Sequence, residues 1–212
     1  MIKRFVLYIL GILCLGFGIV LNTKAGLGIS PINTVPYAVS EITVLTLGQV
    51  TTLLYFVFVV IQLMICRKKD IKVLLQIPFS YVMGAVIDFY NNLLNFQADS
   101  FTVGLLMVAF AIIVTAFGAY LIVSMELVPN PADEMTQALG KILHKEFGEA
   151  KLIFDFLMIG ITVIITLVFA GKLIGIGIGT VLSALFIGRM IQIFSHYFQS
   201  YLRSIVAKSR KE

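Results

Sequence analysis

With 212 residues, 59% of them hydrophobic and 13% charged, and a mean hydropathy of +1.02, the chain has too little polar surface to cover a soluble domain of its size. A net charge of +5 would suit nucleic acid, but the basic residues gather at the ends of apolar runs, where they mark the cytoplasmic face of a membrane protein. The two cysteines, Cys14 and Cys66, lie in or beside apolar runs with no C-x-x-C and no histidine cluster nearby, so neither a disulfide framework nor a zinc site is implied.

Taken in order, the first apolar run spans about residues 4–22. It follows Lys3–Arg4 and has no A-x-A-like cleavage site after it, so it reads as a retained first span. Next comes Ser30–Pro31–Ile32–Asn33, a helix start: Ser30 is a good N-cap type, Pro31 falls where a missing N–H costs nothing, and Asn33 sits at N3. Further runs near 48–66, 74–96, 102–124, 150–170 and 174–197 bring the number of candidate spans to six. Between the fourth and fifth, Asn130–Pro131–Ala132–Asp133 repeats the helix start one hundred residues on.

Residues 1–100 laid over 101–200 align Phe17–Gly18 with Phe117–Gly118, Pro31 with Pro131 and Gly48 with Gly148. With the N-terminus inside, 13 of the 16 basic residues fall on the cytoplasmic side and only Lys24 and Lys172 outside; Arg189 lies within a span. Three spans per copy is odd, which turns the second copy upside down. The fold expected is an all-α integral membrane protein with six transmembrane helices in a 3+3 inverted repeat. Each copy, 1–100 and 101–200, has an extra short amphipathic or re-entrant helix after its first span, and a basic cytoplasmic tail fills 201–212. Two placements of the short helices stay open. They can lie on opposite membrane surfaces, or dip inward with their N-termini facing a central cavity. Asn130–Pro131–Ala132 also spells the motif at the half-helix starts of water channels, but there the half-helix follows the second span and here the first.

The sixth run opens on Gly171, Gly175, Gly177 and Gly179, so its helix is expected to start near Thr180, and its counterpart near Ser80. On those starts Asp88 and Arg189 lie roughly 12–14 Å along their helices, near mid-depth. Ionisable groups inside a span are costly unless paired or wetted. Candidate substrate-binding residues are therefore Arg189, Asp88 and Asp155, with Asp133, Asn130, Ser30 and Asn33 from the helix starts and Gln192 from the polar stripe Arg189–Gln192–His196. The alternative for each acid is an ion pair with Arg189 that only holds helices together. Glu134 complements a helix dipole.

No nucleophile-plus-base set, phosphate loop or metal spacing is present, so no enzyme activity and no cofactor are expected. The function expected is transport of a small solute, anionic or zwitterionic because of Arg189, with proton or ion coupling open. The alternative is a non-transporting membrane protein that binds or regulates a partner protein through the basic, amphipathic stretch from Phe198 to Lys211. The partners expected are a small-molecule solute and the lipid bilayer, not nucleic acid, with a homodimer as an open option.

Ala25–Gly26–Leu27–Gly28–Ile29–Ser30–Pro31, followed by Gly48, resembles the opening motif of the YczE/YyaS/YitT group of bacterial membrane proteins, most closely the YczE branch. Pro131–Ala132–Asp133 and Gly177–Ile178–Gly179–Thr180 match the group's later Pro-x-Asp and Gly-x-Gly-Thr. Where the group's first copy often has Trp–Asp after Ser–Pro, this chain has Ile32–Asn33. The resemblance implies a bacterial inner-membrane protein and brings no substrate; the multi-pass topology with both termini cytoplasmic is expected from the apolar runs and the charge bias.

Overall fold

The computed structural model describes residues 1–65 and 71–209; Cys66, the basic Arg67, Lys68 and Lys69, and Arg210 and Lys211 lie outside the described residues. Among these, the chain forms eight helices: α1 (Ile2–Lys24), α2 (Pro31–Ile42), α3 (Leu47–Ile65), α4 (Ile71–Leu93), α5 (Phe101–Ser124), α6 (Pro131–Leu143), α7 (Phe147–Ala170) and α8 (Ile178–Ser209). Six of them are long and apolar enough to cross a bilayer, and α2 and α6, at 12 and 13 residues, are not. The protein is a multi-pass, all-helical membrane protein.

Local chemistry sets most of the helix starts. Pro31 and Pro131 occupy the first turns of α2 and α6, and the Asn130 side chain accepts from the Ala132 N–H at 3.3 Å. Ser30 departs from its expected role: its Oγ accepts from Asn33 Nδ2 at 2.8 Å and caps no backbone N–H. Ser100 caps α5 through Val103, and α7 stops at Gly171, which adopts a left-handed conformation.

The start of α4 corrects the sequence reading. It begins at Ile71 and runs through Pro78 to Leu93, not from near Ser80 to residue 96. Residues 71–77 contain no glycine and continue as helix, Pro78 is exposed, and Ser80 Oγ donates back to the Gln76 carbonyl at 2.7 Å. In the second half Gly175, at φ +77°, breaks the chain, and α8 starts at Ile178, close to the expected place. Asp88 consequently sits in the last turns of α4, not at mid-depth.

The most extensive contact in the molecule is α1 against α5. A Cβ on Gly11 would meet Gly118, Leu121 and Ile122, and one on Gly18 would meet Ala111 and Thr115. Higher numbers in α1 face lower numbers in α5, so the two helices run antiparallel. Lipid supplies no hydrophobic drive between helices, so small residues that let backbones approach are what hold such a pair together. The ends of the pair are fixed as well. Arg4 donates to the carbonyls of Met125 at 2.7 Å and Glu126 at 3.1 Å, and Tyr8 to that of Val128 at 2.8 Å, which ties the segment just after α5 to the start of α1. At the other end Gly104 lies against the Ala25 carbonyl.

Around this pair, α2 packs on α7 and α3 on α6. Thr34 meets Thr162 hydroxyl to hydroxyl at 2.7 Å, and Gln62 Nε2 donates to the Pro131 carbonyl at 3.0 Å. α8 is one continuous helix of 32 residues whose Leu202 and Val206 are buried in the core, so the stretch after residue 200 spends its apolar face on the fold itself.

Gly18→Val and Gly118→Val should each lower stability by roughly 1–3 kcal/mol, because the added side chain enters the facing backbone. Gly160→Ala, with nothing within 4 Å of the new Cβ, should leave the melting temperature unchanged or raise it. Thermal melts of the purified protein in detergent check all three.

Candidate functional site

The starts of α2 and α6 line one cavity of about 320 Å³. Ser30, Pro31, Ile32 and Asn33 contribute from one side, and Asn130, Ala132 and Asp133 from the other. The two corners are built alike: Asn33 Nδ2 donates to Ser30 Oγ at 2.8 Å, and Asn130 Nδ2 donates to Asp133 Oδ2 at 3.3 Å. The rest of the wall is largely apolar, from Leu15 and Ile19 of α1, Ala119 of α5 and Ile187 and Ile191 of α8. Thr115, Ser183 and Tyr55 add hydroxyls. Concave, mostly apolar walls with a few convergent polar groups are the usual form of a small-molecule site.

Lys151 of α7 also lines the cavity. Its ammonium donates to both oxygens of Asp155, at 3.1 and 3.0 Å, and the two side chains are only 15% and 3% exposed. Such a pair is held because separating it would strand a charge in low dielectric. The cavity reaches the surface beside Glu146, Phe147 and Gly148, which are exposed at the start of α7.

Beyond the far end of α1, two glycine-containing loops are tied together. Ile29 N–H donates to the Gly175 carbonyl at 3.0 Å and Gly179 N–H to the Leu27 carbonyl at 2.7 Å. Gly28 is required here twice over: its φ is +96°, and a Cβ would run into the backbone of Gly177 and the Thr180 hydroxyl. A separate hollow beyond these loops is lined by Asn22, Thr23, Tyr37 and Leu173.

Of the residues singled out in the sequence, Ser30, Asn33, Asn130, Asp133 and Gln192 line the cavity, and Asp155 stands behind it on Lys151. Two do not belong. Asp88 accepts from the Gly48 N–H at 2.8 Å and the Thr46 hydroxyl at 2.6 Å, so it caps the N-terminus of α3 outside the cavity. Arg189 is exposed, lies over the Phe186 ring at 5.7 Å and makes no ion pair among the described residues; the expected partner Asp155 is taken by Lys151. The sequence reading passed over Lys151, counting it with the cytoplasmic lysines. Its spacing of four from Asp155 on one helix was the available signal. Among the described residues no three His, Cys, Asp or Glu side chains come together to hold a metal ion.

Residues 2–196 match a family described as a family of unknown function, DUF6198. The chain belongs to that family. Within reach of DUF6198, it is 24% identical to the "Uncharacterized protein YyaS" of Bacillus subtilis (strain 168), over 98% of both chains. The resemblance to the YczE/YyaS/YitT group therefore holds over nearly the whole chain. No solved structure matches it.

For this DUF6198 member the Lys151–Asp155 pair generates a sharp expectation. Asp155→Leu alone should cost about 3 kcal/mol or more by stranding the ammonium, and the double change with Lys151→Met should recover most of the loss. Arg189→Met should change the melting temperature little. Detergent melts of the wild type, Asp155→Leu, Lys151→Met and the double variant measure the coupling, with Arg189→Met melted alongside.

Proposed function

We propose that the chain is a small-solute transporter of the bacterial inner membrane, built as an inverted repeat, and neither an enzyme nor a scaffold. One observation carries the reading: two helix starts, one hundred residues apart in the sequence, meet at a single cavity beside Leu15 and Thr115 in the middle of α1 and α5. Helix starts at that depth support the re-entrant placement of α2 and α6 over the surface one. The antiparallel α1–α5 pair supports the inversion, since Gly11 meets Gly118 while Gly18 meets Ala111, each contact being the other with its halves exchanged. Solute sites at the interface of such repeats, reached alternately from either side, are a recurring transporter design.

With both termini inside, the mouth at Glu146–Gly148 faces the cytoplasm and the Leu27–Gly28 and Gly175–Gly179 contact closes the outer side. Transport then requires that contact to open. The cavity is enclosed by one chain, so this reading needs no second copy. Preference for an anionic solute rested on Arg189 and is not carried over, because Arg189 is no part of the wall. Regulation of a partner through the C-terminal stretch is weakened by Leu202 and Val206, whose burial leaves that helix less apolar surface to offer.

Single cysteines at Lys24 and Lys145 should label from opposite sides of sealed cells, and labelling of both from outside would sink the topology. Purified protein in vesicles should then take up a solute found by thermal-shift screening, and a disulfide locking position 27 to position 178 should stop that uptake without stopping binding.

A further inference from the structure

The cavity wall carries more negative charge and more hydrogen-bond acceptors than its own donors satisfy. Lys151 is turned to both oxygens of Asp155, whereas among the described residues Asp133 receives one long bond, from Asn130 at 3.3 Å. The charged groups acting on Asp133 are Lys151 and Asp155 from α7 and Glu134 from its own helix; α3 brings the Tyr55 phenol, and Glu146 stands at the mouth. One ammonium therefore faces two carboxylates at the inner wall. On the other corner Asn33 is only 6% exposed, and its Oδ1 has no partner among the described residues although its amide nitrogen is bonded. A buried acceptor left open is uncommon and costly. Its neighbour Ile32 also lines the cavity, and Pro36 has no N–H to return to the Ile32 carbonyl in the helix.

Helix N-termini usually favour anions, but here much of that donor capacity is used. The prolines have no N–H, the Ala132 N–H goes to Asn130 Oδ1, and the Asn33 and Glu134 N–H groups go to the carbonyls of Ser30 and Asn130. With Lys151 bonded to Asp155, what the wall lacks is a cationic N–H donor on Asp133 and on the Asn33 Oδ1. We infer that the cavity takes a solute bearing a protonated amine, its ammonium held by Asp133 and by the open Asn33 Oδ1, with Leu15, Ile19, Ile187 and Ile191 against its apolar body. The inference rests on the transport reading for the role of the cavity but commits to a ligand class of its own.

Butylammonium, butan-1-ol and butyrate, equal in chain length and different in head group, form the test set for the full-length protein in detergent. Butylammonium should raise the melting temperature and the two others should not. Asp133→Asn should weaken it at least about tenfold in a calorimetric titration, and Asn33→Asp, which puts a second carboxylate beside the ammonium, should tighten it about tenfold. Equal stabilisation by butyrate, or undiminished affinity in Asp133→Asn, would overturn the assignment. Should Asp133→Asn not fold, Asn33→Asp decides, and unchanged amine affinity there overturns it. Movement is scored separately, as labelled butylammonium entering vesicles faster than protein-free ones. Binding without entry would sink transport and leave the amine site, while entry of butyrate in place of the amine would do the reverse.

Discussion

The close antiparallel contact of α1 with α5 is the constraint on which the rest of the structure depends. In hydrocarbon the two helices gain little from burying leucines against each other; they gain from backbone approach, which Gly11, Gly18 and Gly118 allow. Because the pair is antiparallel, α1 and α5 deliver the chain to opposite ends. Each end is fixed by the partner helix, one by the Arg4 and Tyr8 side chains and the other by the bare backbone of Gly104. From these fixed ends α2 and α6 begin, and both begin on the same cavity.

Similar positions in the sequence carry different chemistry. One hundred residues apart stand Asn33 and Asp133, Tyr55 and Asp155, and Gln62 and Thr162. The bonding changes accordingly. Thr162 meets a hydroxyl on α2 where Gln62 reaches a backbone carbonyl on α6, and Gln62 in turn accepts from Gln76 of α4 at 3.1 Å. Buried polar groups inside a membrane protein are tolerated when each finds a partner. Around the cavity it is the Asn33 Oδ1 that breaks this rule among the described residues, while Asp133 keeps a long bond from Asn130, and these two groups are the ones the amine proposal uses.

The glycine loops act differently from the glycines of α1 and α5. Gly28, Gly175, Gly177 and Gly179 do not bring two helix bodies together; they bring the loop before α2 into backbone hydrogen bonding with the start of α8 and the loop before it. Backbone groups outside regular helix need a partner, and here the two segments supply it to each other.

The sequence alone determined the class, the six spans and the paired helix starts, since hydropathy, proline position and charge bias act locally and survive without any tertiary information. It also pointed to Asn130, Asp133, Ser30 and Asn33, because a cap and its N3 residue are adjacent by construction. It misplaced Asp88, because a helix that continues through Pro78 cannot be told from one that starts after it until the neighbours of Ser80 and Gln76 are known. It misjudged Arg189, because a helical wheel gives the direction of a side chain but not what stands there; only packing decided that Arg189 faces outward over Phe186 while Lys151 turns in towards Asp155. Which of two basic residues is buried depends on the rotation of α7 and α8 about their axes, and for α7 that rotation is fixed by contacts such as Thr162 on Thr34 of α2, distant in the chain from Lys151.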